Sequence, residues 1–126
     1  MSFNRLNIWT GWSVWLIATV VYLLTVEPTS SFWDCGEFIA SAYKLEVGHP
    51  PGAPLFMLLA RSFMIFASPE TAALAANMLS ALSSSFTILF LFWSITHLAR
   101  RFYGGFSNEP SQSEIIAILG AGTIGA

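Results

Sequence analysis

The chain alternates between long apolar runs and polar connections. Residues 8–26 contain no charged side chain, and about twenty such residues, rising 1.5 Å each, cross the roughly 30 Å hydrocarbon layer of a bilayer. The run predicts a first transmembrane helix rather than a cleaved signal peptide, because it is too long and no small-residue cleavage site precedes Glu27. Residues 72–98 predict a second span, and residues 115–126 begin a third. The pattern indicates an all-α integral membrane protein.

Residues 27–71 form an acidic loop between the first two spans. Its five acidic and two basic residues give it a net charge of −3. Arg5 lies just before the first span, and Arg100 and Arg101 follow the second, so the positive-inside rule predicts that these ends are cytoplasmic. The acidic loop is then extracytoplasmic, residues 99–114 form a cytoplasmic connection, and a bacterial inner membrane is the expected location.

Two short helices are predicted within the loop. Ser31 and Asp34 have the spacing of a capping pair, which predicts a helix from Phe32 to Leu45. The polar residues of this helix recur every three or four positions, as expected of a helix that lies on a membrane or protein surface. They are Asp34, Glu37, Ser41 and Lys44.

A proline-rich turn separates the two loop helices. Residues 48–54 contain three prolines, which cannot donate a backbone hydrogen bond and which restrain the residue before them. Pro54 suits the first turn of a second helix, predicted from Leu55 to Ala67. That helix is too short for a simple span, so we expect an interfacial or re-entrant position.

Composition supports the membrane assignment and excludes other classes. Hydrophobic residues make up 55% of the chain and charged residues 10%, which is more apolar than a soluble domain of this size. The net charge is −2 and no basic cluster occurs, so nucleic acid is not an expected partner. Cys35 is the only cysteine, which excludes an intrachain disulfide.

The apolar run up to Ala126 has no stop signal, so we expect an N-terminal piece of a larger membrane protein.

One motif has two interpretations. The apolar residues 115–119 are followed by Gly120, Gly122 and Gly125, in the spacing of a dinucleotide-binding fingerprint. That interpretation requires a strand, a tight turn and a helix in succession. A glycine-rich transmembrane helix has the same letters, and the two preceding spans favour it.

The loop carries the candidate chemistry. Asp34 and Glu37 are carboxylates one helical turn apart. They could act as a general base, or they could simply be acids near a helix N-terminus, where the positive end of the helix dipole stabilises negative charge. His49 could bind a phosphate, orient a carboxylate or be merely solvated. Arg61 could pair with a lipid-linked phosphate or extend toward headgroups. No metal is expected, because the sequence shows no spaced set of ligands.

Two segments carry a family resemblance. The sequence from Thr25 to Ala40, TVEPTSSFWDCGEFIA, and that from Gly48 to Leu55, GHPPGAPL, resemble glycosyltransferase family 117. This family comprises protein O-mannosyltransferase-like membrane proteins long filed as a domain of unknown function. The resemblance implies a GT-C-type bundle of transmembrane helices, with two helices parallel to the membrane in the first extracytoplasmic loop. This chain would be its N-terminal part.

The resemblance also implies an activity. A sugar, expected to be mannose, would move from a polyprenyl-phosphate carrier to Ser or Thr hydroxyls of exported proteins, without a metal or other cofactor. Asp34 matches the base best, with Glu37 as the second choice or as a partner of the base or acceptor. His49 would shape the site near the carrier phosphate, and Arg61 and Lys44 are further candidates for carrier binding. The piece alone is expected to be inactive.

Two other functions remain open at this stage. A transporter or flippase of lipid-linked sugars would carry ionisable residues within its spans, and the runs 8–26 and 72–98 contain no Asp, Glu, Lys or Arg. A non-catalytic membrane scaffold would tolerate replacement of Asp34 and Glu37.

Overall fold

The computed structural model describes residues 2–31, 33–50, 52–103 and 110–126 of the chain. Within these ranges it contains α-helices and no strand, which confirms the predicted all-helical class. The helices are α1 (Phe3–Thr25), α2 (Cys35–Lys44), α3 (Pro54–Phe63), α4 (Ala72–Tyr103) and α5 (Gln112–Gly125). By length and composition, α1 and α4 are able to cross a membrane. The full number of spans and their orientation stay predictions.

Helix α2 begins later than the capping pattern predicted. Phe32 itself lies outside the described residues, and Trp33 has a φ of 67°, a left-handed conformation that cannot continue a right-handed helix. The helix therefore starts at Cys35, with Asp34 as its N-cap residue. The Asp34 side chain makes no capping hydrogen bond, so the predicted capping pair with Ser31 is wrong.

Helix α3 begins where the proline predicted and ends before Ala67. Pro54 occupies its first turn. At Met64 the backbone leaves the helical region, and its N–H donates to the carbonyls of Ala60 and Arg61 at 2.9 and 3.1 Å, closing the helix at Phe63. Its position in or near a membrane surface stays a prediction.

The chain divides into two compact units, and the first comprises residues 22–82. Its core combines alanines and methionines from α2, α3 and the start of α4, as expected where small residues let helices approach closely. The buried members are Ala42, Met57, Ala60, Met64, Ala72, Ala76 and Leu79. The Asn77 side-chain amide donates to the carbonyls of Glu27 and Thr29 at 2.7 and 3.0 Å. This amide therefore holds the start of the loop against α4.

The second unit comprises residues 1–21 and 83–126. The Trp12 ring packs edge-on against Trp15 and Trp93, with centroids 5.3 and 5.9 Å apart. At the beginning of α1 and the end of α4, Arg100 donates to the Asn4 side chain at 2.8 Å. The beginning of α1 and the end of α4 thus meet within this unit.

Helix α5 decides between the two interpretations of the glycine motif. Residues 112–125 form one helix that starts with a capping box between Ser111 and Glu114, so the apolar run before Gly120 is not a strand. The dinucleotide-binding interpretation is excluded. A Cβ at Gly122 would lie 2.6 Å from the Thr96 methyl group and 2.9 Å from the Phe92 ring, so the glycine permits close contact of α5 with α4. The preceding residues 104–109, in the predicted connection, lie outside the described ranges.

Candidate active site

The start of α2 and the proline-rich turn bring three of the predicted site residues together. Asp34 lies at the N-cap of α2, Glu37 lies in its first turn, and His49 lies in the turn before α3. Each offers a side-chain oxygen or nitrogen, and these atoms all lie within 4.8 Å of one another. We call Asp34, Glu37 and His49 the carboxylate–histidine cluster. All three side chains are exposed.

Glu37 holds His49 at two points. One carboxylate oxygen, Oε1, accepts a hydrogen bond from the His49 backbone N–H at 2.8 Å. The other, Oε2, lies 2.8 Å from the His49 ring nitrogen Nδ1. Gly48 makes room for this approach, because a Cβ there would lie 3.3 Å from Glu37 Oε1. The glycine before the histidine therefore has a packing role at this contact.

The other ring nitrogen of His49 faces Asp34. Nε2 lies 4.0 Å from Asp34 Oδ2, too far for a direct hydrogen bond but close enough for electrostatic attraction. The edge of the same ring meets Phe38, with centroids 6.3 Å apart. The imidazole thus lies between two carboxylates, with an aromatic side chain at its edge.

The two hydrogen-bonded members of the cluster shift each other's pKa. The backbone and side-chain hydrogen bonds from His49 lower the pKa of Glu37 below its ordinary value of 4.5. The hydrogen bond and negative charge of Glu37, with a smaller contribution from Asp34, raise the pKa of His49 above 6.5. The cluster therefore favours a charged carboxylate and a protonated imidazole.

Arg61 and Lys44 have other partners. Arg61 Nη1 donates to the Tyr43 backbone carbonyl at 2.6 Å, and its guanidinium lies over the Tyr43 ring, 5.5 Å from the centroid. Lys44 lies 3.9 Å from Glu46, with both side chains mostly exposed. The structure thus gives Arg61 a contact that ties α3 to α2. Carrier binding by Arg61 or Lys44 stays a prediction.

An open cleft of about 430 Å³ adjoins the turn. Its lining includes Val47, Gly48, Pro54, Met57 and Leu58, and its exposed surface is mostly apolar. Because Gly48 directly precedes His49, the same turn borders both the cleft and the cluster. The cleft therefore offers apolar surface next to the charged groups of the cluster.

The cluster also has the composition of a divalent-cation site. Two carboxylates and an imidazole are ordinary ligands for such ions. A cation on His49 Nδ1 or on both Glu37 oxygens would replace the hydrogen bonds that hold the turn. Sequence analysis named these three residues as site candidates but did not predict them as a set of metal ligands, because they come from a helix and from a separate turn twelve residues after Glu37.

Two residues with structural roles near the site were missed by sequence reasoning. Asn77, which holds the loop start, and Tyr43, which accepts the hydrogen bond from Arg61, were not singled out. A lone amide in an uncharged apolar run was an available signal for Asn77. The hydrogen bond from Arg61 goes to the backbone carbonyl of Tyr43, for which the sequence carries no signal.

The fold and the cluster define an all-helical domain that has two helices able to cross a membrane and a histidine held between two carboxylates. Residues 34–126 match the family described as the Protein O-mannosyl-transferase TMEM260 N-terminal domain, and the chain belongs to this family. The match begins at Asp34 and includes the whole cluster.

Individual relatives agree with the family assignment. The chain is similar to Protein O-mannosyl-transferase TMEM260 of Mus musculus, 32% identical over 93 residues, which cover 74% of this chain and 13% of the relative. It is also similar to Protein O-mannosyl-transferase tmem260 of Dictyostelium discoideum, 30% identical over 84 residues, which cover 65% of this chain and 10% of the relative. The chain thus spans about a tenth of the length of these relatives. No solved structure matches it.

Proposed function

We propose that the intact protein is a membrane glycosyltransferase of the GT-C type, placed with glycosyltransferase family 117, that transfers mannose to Ser or Thr hydroxyls of exported proteins. The observation that carries the proposal is the carboxylate–histidine cluster, in which Asp34 and His49, the residues that we assign as base and phosphate-binding group, lie side by side. The family and the names of its relatives support the reaction class. Residues 1–126 supply one part of the active site.

Asp34 is the general base of the proposed reaction. Its carboxylate takes the proton of the acceptor hydroxyl as the oxygen attacks the anomeric carbon. The new C–O bond forms while the bond from that carbon to the carrier phosphate breaks, and the lipid phosphate leaves with the bonding electrons. One displacement of this kind inverts the anomeric configuration. Phosphate is a good leaving group, so the reaction does not require a metal.

His49 and the adjoining cleft accommodate the donor. A protonated imidazole offers an Nε2–H beside Asp34, where it can donate to the carrier phosphate in a charge-assisted hydrogen bond. The apolar cleft at residues 45–58 accommodates the first units of a polyprenyl chain. These assignments agree with an extracytoplasmic loop, because exported acceptor proteins reach that side of the membrane.

The proposal is tested by replacing the base. Asp34→Asn keeps the size and polarity of the side chain but cannot accept the proton, so we expect transfer to fall by about 10²–10⁴-fold. The assay follows mannose transfer from a polyprenyl-phosphate donor to an acceptor peptide by the intact protein in lipid nanodiscs. Glu70→Gln, an exposed acid elsewhere in the loop, is the matched control and should keep full activity.

Each outcome of this assay decides for or against the transferase. Full activity of Asp34→Asn would remove the proposed base. If the intact protein moved the lipid-linked sugar across a vesicle membrane without forming a glycopeptide, the transporter would replace the transferase. Parallel reactions with EDTA should proceed at the same rate, and a loss restored by a divalent cation would contradict the metal-free mechanism.

A further inference from the structure

We infer that Glu37 is a positioning residue, which fixes the His49 turn beside the base and does not itself take the acceptor proton. The inference rests on the proposed function and deepens it, because it separates the roles of the two carboxylates. The sequence alone left Asp34 and Glu37 as alternative bases.

Both oxygens of Glu37 are already engaged. Oε1 accepts from the His49 backbone N–H and Oε2 contacts the His49 ring nitrogen, each at 2.8 Å. A substrate hydroxyl that approached Glu37 would compete with these two contacts for the same carboxylate oxygens. The same hydrogen bonds lower its pKa, which makes it a weaker base.

Asp34 is in a different situation. As the N-cap residue of α2 it makes no side-chain capping hydrogen bond, and 62% of its side chain is exposed. Its approach to His49 Nε2, at 4.0 Å, leaves the carboxylate accessible to an incoming hydroxyl. Of the two acids, Asp34 has the more exposed side chain, 62% against 43%, and makes no side-chain capping hydrogen bond.

The contact with Glu37 determines which ring nitrogen the substrate meets. Because Nδ1 faces Glu37, Nε2 is directed to the Asp34 side of the ring. The turn is closed on the other side by the Gly52 N–H, which donates to the His49 carbonyl at 3.0 Å. Functional sites often contain a carboxylate that orients a histidine through one ring nitrogen and leaves the other nitrogen free to contact a ligand.

The first test measures the turn without using activity. Hydrogen–deuterium exchange of residues 46–53 is followed in the intact protein in nanodiscs. Glu37→Ala removes both acceptors, so we expect exchange of this segment to accelerate about tenfold. Asp34→Asn and the control Glu70→Gln should leave it unchanged. Unchanged exchange in Glu37→Ala would overturn the inference.

The second test uses a double-mutant cycle on transfer. Loss of an orienting partner costs about 10–100-fold in activity, and we expect that loss for Glu37→Gln. Since Glu37 acts through His49, adding Glu37→Gln to His49→Ala should cause little further loss. Losses that multiply in the double variant would show that Glu37 acts independently and would refute its positioning role.

The two tests separate failure of this inference from failure of the proposed function. If Asp34→Asn keeps full transfer while Glu37→Ala still loosens residues 46–53, the transferase mechanism is wrong and the structural role of Glu37 stands. If Asp34→Asn is inactive and Glu37→Ala leaves the segment unchanged, the base assignment stands and the positioning role falls.

Discussion

The two units of the chain are organised by different kinds of contact. In residues 22–82, the contacts that define the candidate site join exposed charged groups, with Glu37 holding His49 and Asp34 facing the same ring. In residues 1–21 and 83–126, helices meet through a glycine and through aromatic rings, with Gly122 against Phe92. Substitutions at the carboxylate–histidine cluster should therefore change activity, whereas a change of volume at Gly122 should change stability.

The largest effect on stability is expected at Gly122. Even a Cβ at this position would overlap Thr96 and Phe92, both of which are fully buried, so Gly122→Leu overpacks the contact. We expect a loss of about 3 kcal/mol in the free energy of unfolding. Thermal unfolding of the intact protein in detergent measures it. Gly120→Leu is the control, because a Cβ at Gly120 meets nothing within 4 Å; an equal loss in both variants would contradict the packing explanation.

A smaller effect is expected at Arg61. Arg61→Ala removes the hydrogen bond to the Tyr43 carbonyl and the contact with its ring, which should lower the free energy of unfolding by about 2 kcal/mol. The same thermal measurement detects this loss, and the KM for the lipid-linked donor should change little. A large rise in KM with unchanged stability would instead favour the predicted binding of carrier phosphate by Arg61.

The smallest effect is the pH dependence of the turn. The pKa of His49 is raised, so the stability that protonated His49 gives the turn is fully present below about pH 6.5. This stability is lost as the pH rises through the raised pKa. The pKa of Glu37 is lowered, so the stability that the ionised carboxylate gives the turn is fully present above about pH 4.5. This stability is lost as the pH falls through the lowered pKa. The contact is therefore strongest between these limits. Asp34 is the other charged group at the ring.

Hydrogen exchange detects this pH window. After correction for the intrinsic exchange rate, residues 46–53 should exchange most slowly between pH 4.5 and 6.5 and a few-fold faster above the raised pKa of His49. Glu37→Gln should flatten the profile. A flat profile in the unmodified protein would show that the ion pair does not hold the turn.

Much of the helical pattern could be predicted because it depends on local sequence. The long uncharged runs gave the positions of α1 and α4, and Pro54 gave the start of α3. The start of α2 could not be predicted from the capping pattern, because the left-handed backbone at Trp33 overrides it. Such a conformation in a bulky residue depends on its surroundings, which composition and spacing do not describe.

The site could be predicted as a set of residues but not as a geometry. Asp34 and Glu37 are close because they share one helical turn, which the sequence shows. The approach of His49 depends on the path of residues 45–48, and no local rule specifies where that segment leads. The engagement of Arg61 by a backbone carbonyl was likewise hidden, because every residue type has the same carbonyl group.

The central claim is that Asp34 and His49 form the place where a lipid-linked sugar meets its acceptor. The most direct measurement is an experimental structure of the intact protein in nanodiscs with a non-reactive polyprenyl-phosphate mannose analogue. The account predicts that the analogue's phosphate contacts His49 Nε2, with the anomeric carbon facing Asp34. An analogue bound in another cleft, with Asp34 and His49 facing bulk solvent or the cytoplasmic side, would contradict it.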